Sequence, residues 1–142
     1  MENNITNPTE NQTTNDVEIK TDDYTISHKI ETLTVVCKGS LRLSGKDDYD
    51  PIIKLLENVV DTVKVDDEES NLPQEAPIIT LDLRELEFLN SSGINILSKF
   101  VIKVRQKGKI AIMVRGSKNI PWQGKSLKNL ERLMPSLQLE LV

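Results

Sequence analysis

One cysteine and one histidine stand in 142 residues, and that scarcity removes most metal and catalytic chemistry at the outset. With Cys37 alone, the chain can form neither an internal disulfide nor a cysteine-based metal cluster. Its place in the apolar run from Leu33 to Lys38 reads as a small buried thiol. With His28 alone, paired-histidine metal spacing is impossible. Ser-His catalysis would rest on one residue in a polar, strand-like stretch near a flexible end, and triad logic also needs an orienting carboxylate and an oxyanion hole. No Gly-x-Ser-x-Gly elbow is present. Gly124-Lys125-Ser126 spells the end of a phosphate-binding loop, but Asn119 stands where its first glycine belongs and no apolar strand leads directly into it. The expectation is a protein that is not an enzyme, with no catalytic residue, no metal and no cofactor.

Aromatic residues make up only 4% of the chain, so a core must be built from Ile, Leu and Val. No apolar run approaches the ~20 residues a bilayer crossing needs, and the N-terminus lacks the basic start and apolar stretch of a signal peptide. A cytoplasmic protein with no membrane partner is expected. The length suits one domain of roughly 100 to 150 residues with a single core.

The formal net charge of −4 is unevenly placed. Residues 99–142 hold ten Lys/Arg against two Asp/Glu, a net +8, so residues 1–98 carry the balancing −12. Such asymmetry can mark a nucleic-acid surface. These cations, however, are spread over a helix, a strand end, a loop and a second helix without interleaved aromatics, which favours a solvated face or an acidic protein partner.

Along the chain, residues 1–23 are polar, with Ile5, Val17 and Ile19 as the only large apolar side chains, and read as a disordered N-terminal tail. The folded domain is expected over 24–142. Residues 24–30 and 32–38 suit two short strands. Asp47, Asp48, Asp50 and Pro51 supply helix-start chemistry, and Ile52, Leu55, Leu56, Val59, Val60 and Val63 recur at helical spacing behind them. The acidic run Asp66 to Glu69, with Pro73 and Pro77 near it, reads as an exposed connection. Residues 78–83 are nearly continuously apolar, as in a central strand covered on both faces. Asn90-Ser91-Ser92-Gly93 then opens a second amphipathic helix that Gly108 stops. Residues 110–114 suit a buried strand, 115–125 a loop and 126–134 a short helix. Leu137, Leu139 and Leu141 mark a final strand with one buried face. The order is β-β-α-β-α-β-α-β, an α/β sheet of four to five strands packed by helices.

The element with a mechanism is the serine pair at the head of the second helix. A helix N-terminus presents unpaired N–H groups and a positive dipole end, so a phosphate on a serine there is electrostatically welcome. It would add about −1.5 to −2 charge at one point of the surface. The alternative is that Ser91 or Ser92 merely caps the helix, worth ~1 kcal/mol, with Gly93 easing the turn.

The run Leu81-Asp82-Leu83-Arg84-Glu85-Leu86-Glu87-Phe88-Leu89-Asn90-Ser91-Ser92-Gly93-Ile94 resembles the strand, linker and switch loop of the STAS domains (sulphate transporter and anti-sigma factor antagonist), in particular their free-standing antagonist type. The resemblance covers most of residues 24–142. It implies a STAS-like fold with a mixed sheet and a regulatory, signal-transducing role in partner switching. The unphosphorylated domain binds an anti-sigma factor or related serine protein kinase and so regulates transcription; phosphorylation of the loop serine releases it, and a PP2C-type phosphatase resets it. Carried over by position, the phospho-acceptor is Ser91, with Ser92 the second choice. The partner-binding surface is Asn90, Ser91, Ser92, Gly93 and Ile94. Asn90 stands where the family usually has aspartate, so a constitutive, unphosphorylated STAS module is the alternative. Nucleic-acid binding through the basic C-terminal region is a further one.

Overall fold

The computed structural model describes residues 16–63 and 77–142. Residues 1–15 of the expected tail and the acidic run Asp66 to Glu69 lie outside the described residues. The elements are β1 (Val17–Lys20), β2 (Tyr24–Lys29), β3 (Thr34–Leu41), α1 (Lys46–Thr62), β4 (Ile78–Leu89), α2 (Ser91–Lys107), β5 (Ala111–Gly116), α3 (Pro121–Ser126), α4 (Lys128–Leu133) and β6 (Gln138–Leu141). They form one six-stranded mixed sheet in the order β1-β2-β3-β4-β5-β6. The first two pairings are antiparallel and the last three parallel.

The sheet is therefore larger than the expected four to five strands, and the order is β-β-β-α-β-α-β-α-α-β. The additional strand, β1, arises inside the span assigned to the tail. Val17 and Ile19 alternate with Glu18 and Lys20, and Ile19 pairs with Ile26 of β2. Four residues at a sheet edge give too short an alternation to distinguish from a polar tail. The additional helix, α3, starts with Pro121 at its first position in the stretch read as a loop.

Topology explains which face is covered. Parallel neighbours joined by right-handed crossovers, taken in one direction across the sheet, place every connecting helix on the same side. Along that side Val35, Cys37, Ile79, Leu81, Leu83, Ile112 and Val114 are all buried. Val36, Thr80, Asp82, Met113 and Arg115, on the opposite face, are half-exposed. The expectation that residues 78–83 are covered on both faces is thus corrected: Ile78 is 49% exposed, and only alternate residues are buried. Thr80 and Asp82 occupy the positions that a doubly covered strand would fill with aliphatics.

All six residues of the expected α1 stripe are buried, and the stripe extends one turn further back to Tyr49, which is 1% exposed. The helix begins at Lys46, so Pro51 lies inside it rather than in its first turn. The bond that Pro51 forgoes belongs to the carbonyl of Asp47, an exposed residue that water can reach. His28 and Cys37 both face the core. His28 is wholly buried between Val17 and Val35 on the neighbouring strands, and neither ring nitrogen has a hydrogen-bond partner among the described residues. Burial lowers its pKa, with Asp16 pulling weakly the other way. Burial pushes the Cys37 thiol up to about 12, with the Asp82 carboxylate adding to the shift.

Candidate docking site at the start of α2

The head of α2 is held by Asn90, not by a serine. Asn90 has extended backbone, and its Oδ1 accepts from the Gly93 N–H at 3.0 Å, the geometry of an N-cap. The same oxygen accepts from the Tyr49 hydroxyl at 2.6 Å, while Nδ2 donates to the Leu43 carbonyl at 2.9 Å. The backbone N–H of Asn90 donates to Leu41 O at 3.1 Å, continuing the β3–β4 ladder. One side chain thereby ties α2 to the loop after β3 and to α1. Burial raises the pKa of Tyr49, which stays a neutral donor to this oxygen.

With the cap assigned to Asn90, Ser91 is the first residue of a 17-residue helix and is exposed. No described residue hydrogen-bonds its hydroxyl. Ser92 is half-buried and turns towards α1; Gly93 is buried, and Ile94 is half-buried against the core. Gly93 is required by close approach rather than by a turn, since a Cβ there would run into the Leu89 side chain and the Tyr49 hydroxyl. Of the five residues expected to bind a partner, the structure thus leaves Ser91 exposed, Asn90, Ser92 and Ile94 half-buried, and Gly93 buried. The first turn carries no acidic residue, so beyond the neutral Asn90 cap no charged side chain of that turn compensates the positive end of the helix.

Several neighbours of this surface were not singled out from sequence. Phe88, 38% exposed at the end of β4, lies under the Arg42 guanidinium, 4.4 Å from ring centroid to Cζ. That is a cation–π pair of the residue types that anchor interfaces. Trp122 Nε1 donates to the Glu87 carbonyl at 3.0 Å. Buried Gln123 donates from Nε2 to Leu83 O at 2.6 Å and Leu86 O at 2.9 Å, and accepts from Ser117 N–H at 2.7 Å, fixing α3 against the far half of β4. Tyr49 was legible in principle, because it falls three residues before Ile52 on the same stripe. Arg84 is occupied locally. It grips Asp82 through two side-chain bonds at 2.9 and 2.7 Å. Burial alone would raise the Asp82 pKa, but these bonds and the Arg84 charge outweigh it and hold the carboxyl below its usual range.

The basic C-terminal region is likewise partly committed to the fold. Arg105 Nη1 donates to Leu133 O at 2.8 Å and Lys107 Nζ to Val60 O at 2.7 Å, both near helix C-termini, and Arg115 pairs with Glu140 at 3.0 Å. Among the described residues no cluster of His, Cys, Asp and Glu could hold a metal ion, and no helix is long and apolar enough to cross a membrane.

Comparison with solved structures identifies the architecture. Apo-SiaC from Pseudomonas aeruginosa superposes with a TM-score of 0.60 at 13% identity, covering 89% of this chain and 97% of that one. The structure of the diguanylate cyclase SiaD in complex with its activator SiaC, from the same organism, matches with a TM-score of 0.60 at 11% identity, covering 89% and 99%. An anti-sigma factor antagonist from Mycobacterium paratuberculosis aligns at 19% identity over 87% and 83%, with a TM-score of 0.46. No family model matches the sequence, and no curated protein matches it. The chain has a STAS-like mixed α/β fold, shared with SiaC. Within that fold it is similar to SiaC along nearly its whole length.

Proposed function

We propose that this chain is a non-enzymatic regulatory module of the anti-sigma factor antagonist type that docks a protein partner in the cytoplasm through the head of α2 and its flanks. The partner is an anti-sigma factor or a related serine protein kinase, phosphorylation of Ser91 releases it, and a PP2C-type phosphatase restores binding. The observation that carries the reading is that Asn90 performs the capping, which leaves the exposed Ser91 hydroxyl without a structural duty. A phosphate there meets the positive end of a helix whose first turn carries no acidic side chain, so it is accommodated without unfolding while changing the docking face by about −1.5 to −2 charge. The fold supports the reading from another side, because SiaC, which shares it, is the activator of the cyclase with which it forms a complex.

A constitutive module is the second reading, favoured by the Asn90 amide. Its Nδ2 donates to Leu43 O, a bond that an ionised aspartate cannot make. Capture of a partner from the native cell separates the two. The switch predicts that wild type and Ser91→Ala bring down the same protein and Ser91→Asp does not; equal capture by all three establishes the constitutive module instead.

A further inference from the structure

Beside the Ser91 surface, an open groove of about 340 Å³ runs between α1 and α2. Its floor is apolar, formed by Ile53 and Leu56 of α1 and by Ile96 and Phe100 of α2. Its rim carries Lys46, Lys99 and Lys103, and its upper end is closed by Gly45 and Ser92. Among the described residues the only carboxylate lining it is Glu57, which faces Lys103 at 3.7 Å. No described carboxylate pairs with Lys46 or Lys99.

Both helices connect parallel strands and run in the same direction, so they leave a trough between them. From Ser92 to Lys103 the α2 wall is about 16 Å long at ~1.5 Å per residue, three turns of helix. A third helix lying in the trough would meet ridges and grooves at the ordinary interaxial distance of about 8–10 Å. An apolar floor with a rim of three lysines to one glutamate is complementary to an amphipathic helix that carries Asp or Glu beside its apolar stripe.

We propose that this groove receives an acidic amphipathic helix, about three turns long, from the partner protein. The inference rests on the partner-docking reading and specifies what docks. It also explains how a group on α2 reaches the bound segment: Ser92 lies at the groove's upper end and Ser91 adjoins it, so a phosphate there opposes the acidic helix at that end.

Site-specific photo-crosslinking in the native cell tests it, with p-benzoylphenylalanine in place of Asn95, which lines the groove, or of Phe88, at the strand end beside Ser91. The expected product from position 95 is a partner segment with apolar residues at helical spacing flanked by Asp or Glu. Adding Lys46→Glu and Lys99→Glu should lower its yield about tenfold, equivalent to ~1.4 kcal/mol. A product from position 88 with none from position 95 overturns the groove and leaves partner docking standing. A second copy of this chain, a basic segment or a non-helical segment at position 95 overturns the proposal too. Silence at both positions removes the docking reading along with it.

Discussion

The Tyr49 hydroxyl donates to Asn90 Oδ1 at 2.6 Å, across 41 residues of sequence, and so joins the first turn of α1 to the cap of α2. Because the other end of the same amide donates to Leu43 O, the position calls for one acceptor and one donor, which asparagine supplies and ionised aspartate does not.

Asn90→Asp is therefore expected to destabilise the fold at neutral pH. A carboxylate gains ~0.3–1 kcal/mol from the helix dipole but loses the bond to Leu43 O and sets two oxygens against each other, costing ~1–3 kcal/mol. The protonated acid can donate to Leu43 O, so the folded-state pKa of the new aspartate is raised. The penalty appears as pH climbs above the unfolded value of about 3.9 and is absent below it. Urea titrations of both proteins at pH 4 and pH 7 check this; an equal difference at both pH values contradicts it.

Gly93→Ala sets two effects against each other. Alanine gains about 1 kcal/mol of helix propensity over glycine, but its Cβ would overlap Leu89 and the Tyr49 hydroxyl. Overpacking costs ~1–3 kcal/mol, and the neighbours pin each other through the Asn90 bonds, so net destabilisation is expected as a lower denaturation midpoint. A higher midpoint would show that Leu89 moves aside freely.

His28 makes stability depend on pH. Its folded pKa lies below the ordinary 6.5, so below that value the unfolded chain takes up a proton that the native state refuses, and stability falls as pH drops through the window beneath 6.5. His28→Leu should flatten this part of the curve relative to wild type. Parallel stability curves for the two proteins between pH 7 and pH 5 would contradict the assignment.

Cys37, with its thiol pushed up to about 12 and its side chain buried, should resist a thiol reagent at pH 8 in native buffer and react fully in denaturant. Labelling of the native protein at the rate of a free thiol would place Cys37 outside the core.

Much of the fold is legible in the sequence where periodicity is long. The α1 stripe and the apolar face of α2 each repeat often enough to declare their element, and Leu137, Leu139 and Leu141 give the β6 region one more repeat than Val17 and Ile19 give β1. The edge strand β1 does not declare itself, because two apolar residues among charges look the same in a tail as at a sheet edge. The uncovered sheet face was hidden for another reason. Ile78 and Ile79 open β4 as a double, which imitates a two-sided strand until Thr80 and Asp82 are weighed as the open face. At the site, the cluster Asn90 to Gly93 announces a helix start, but Asn and Ser rank almost equally as caps, so composition cannot say which of the three caps. That choice is made by Tyr49 and Leu43, 41 and 47 residues away in the chain.

The central claim is that Ser91 is the switch of a docking surface, and the most direct test is the affinity of a captured partner for two homogeneous forms of this protein, unmodified and phosphorylated at Ser91 alone, by isothermal titration calorimetry. The account predicts that the phosphate weakens binding at least about tenfold, or ~1.4 kcal/mol, with the thermal midpoint of the phosphoprotein unchanged. Equal affinity for the two forms would contradict it.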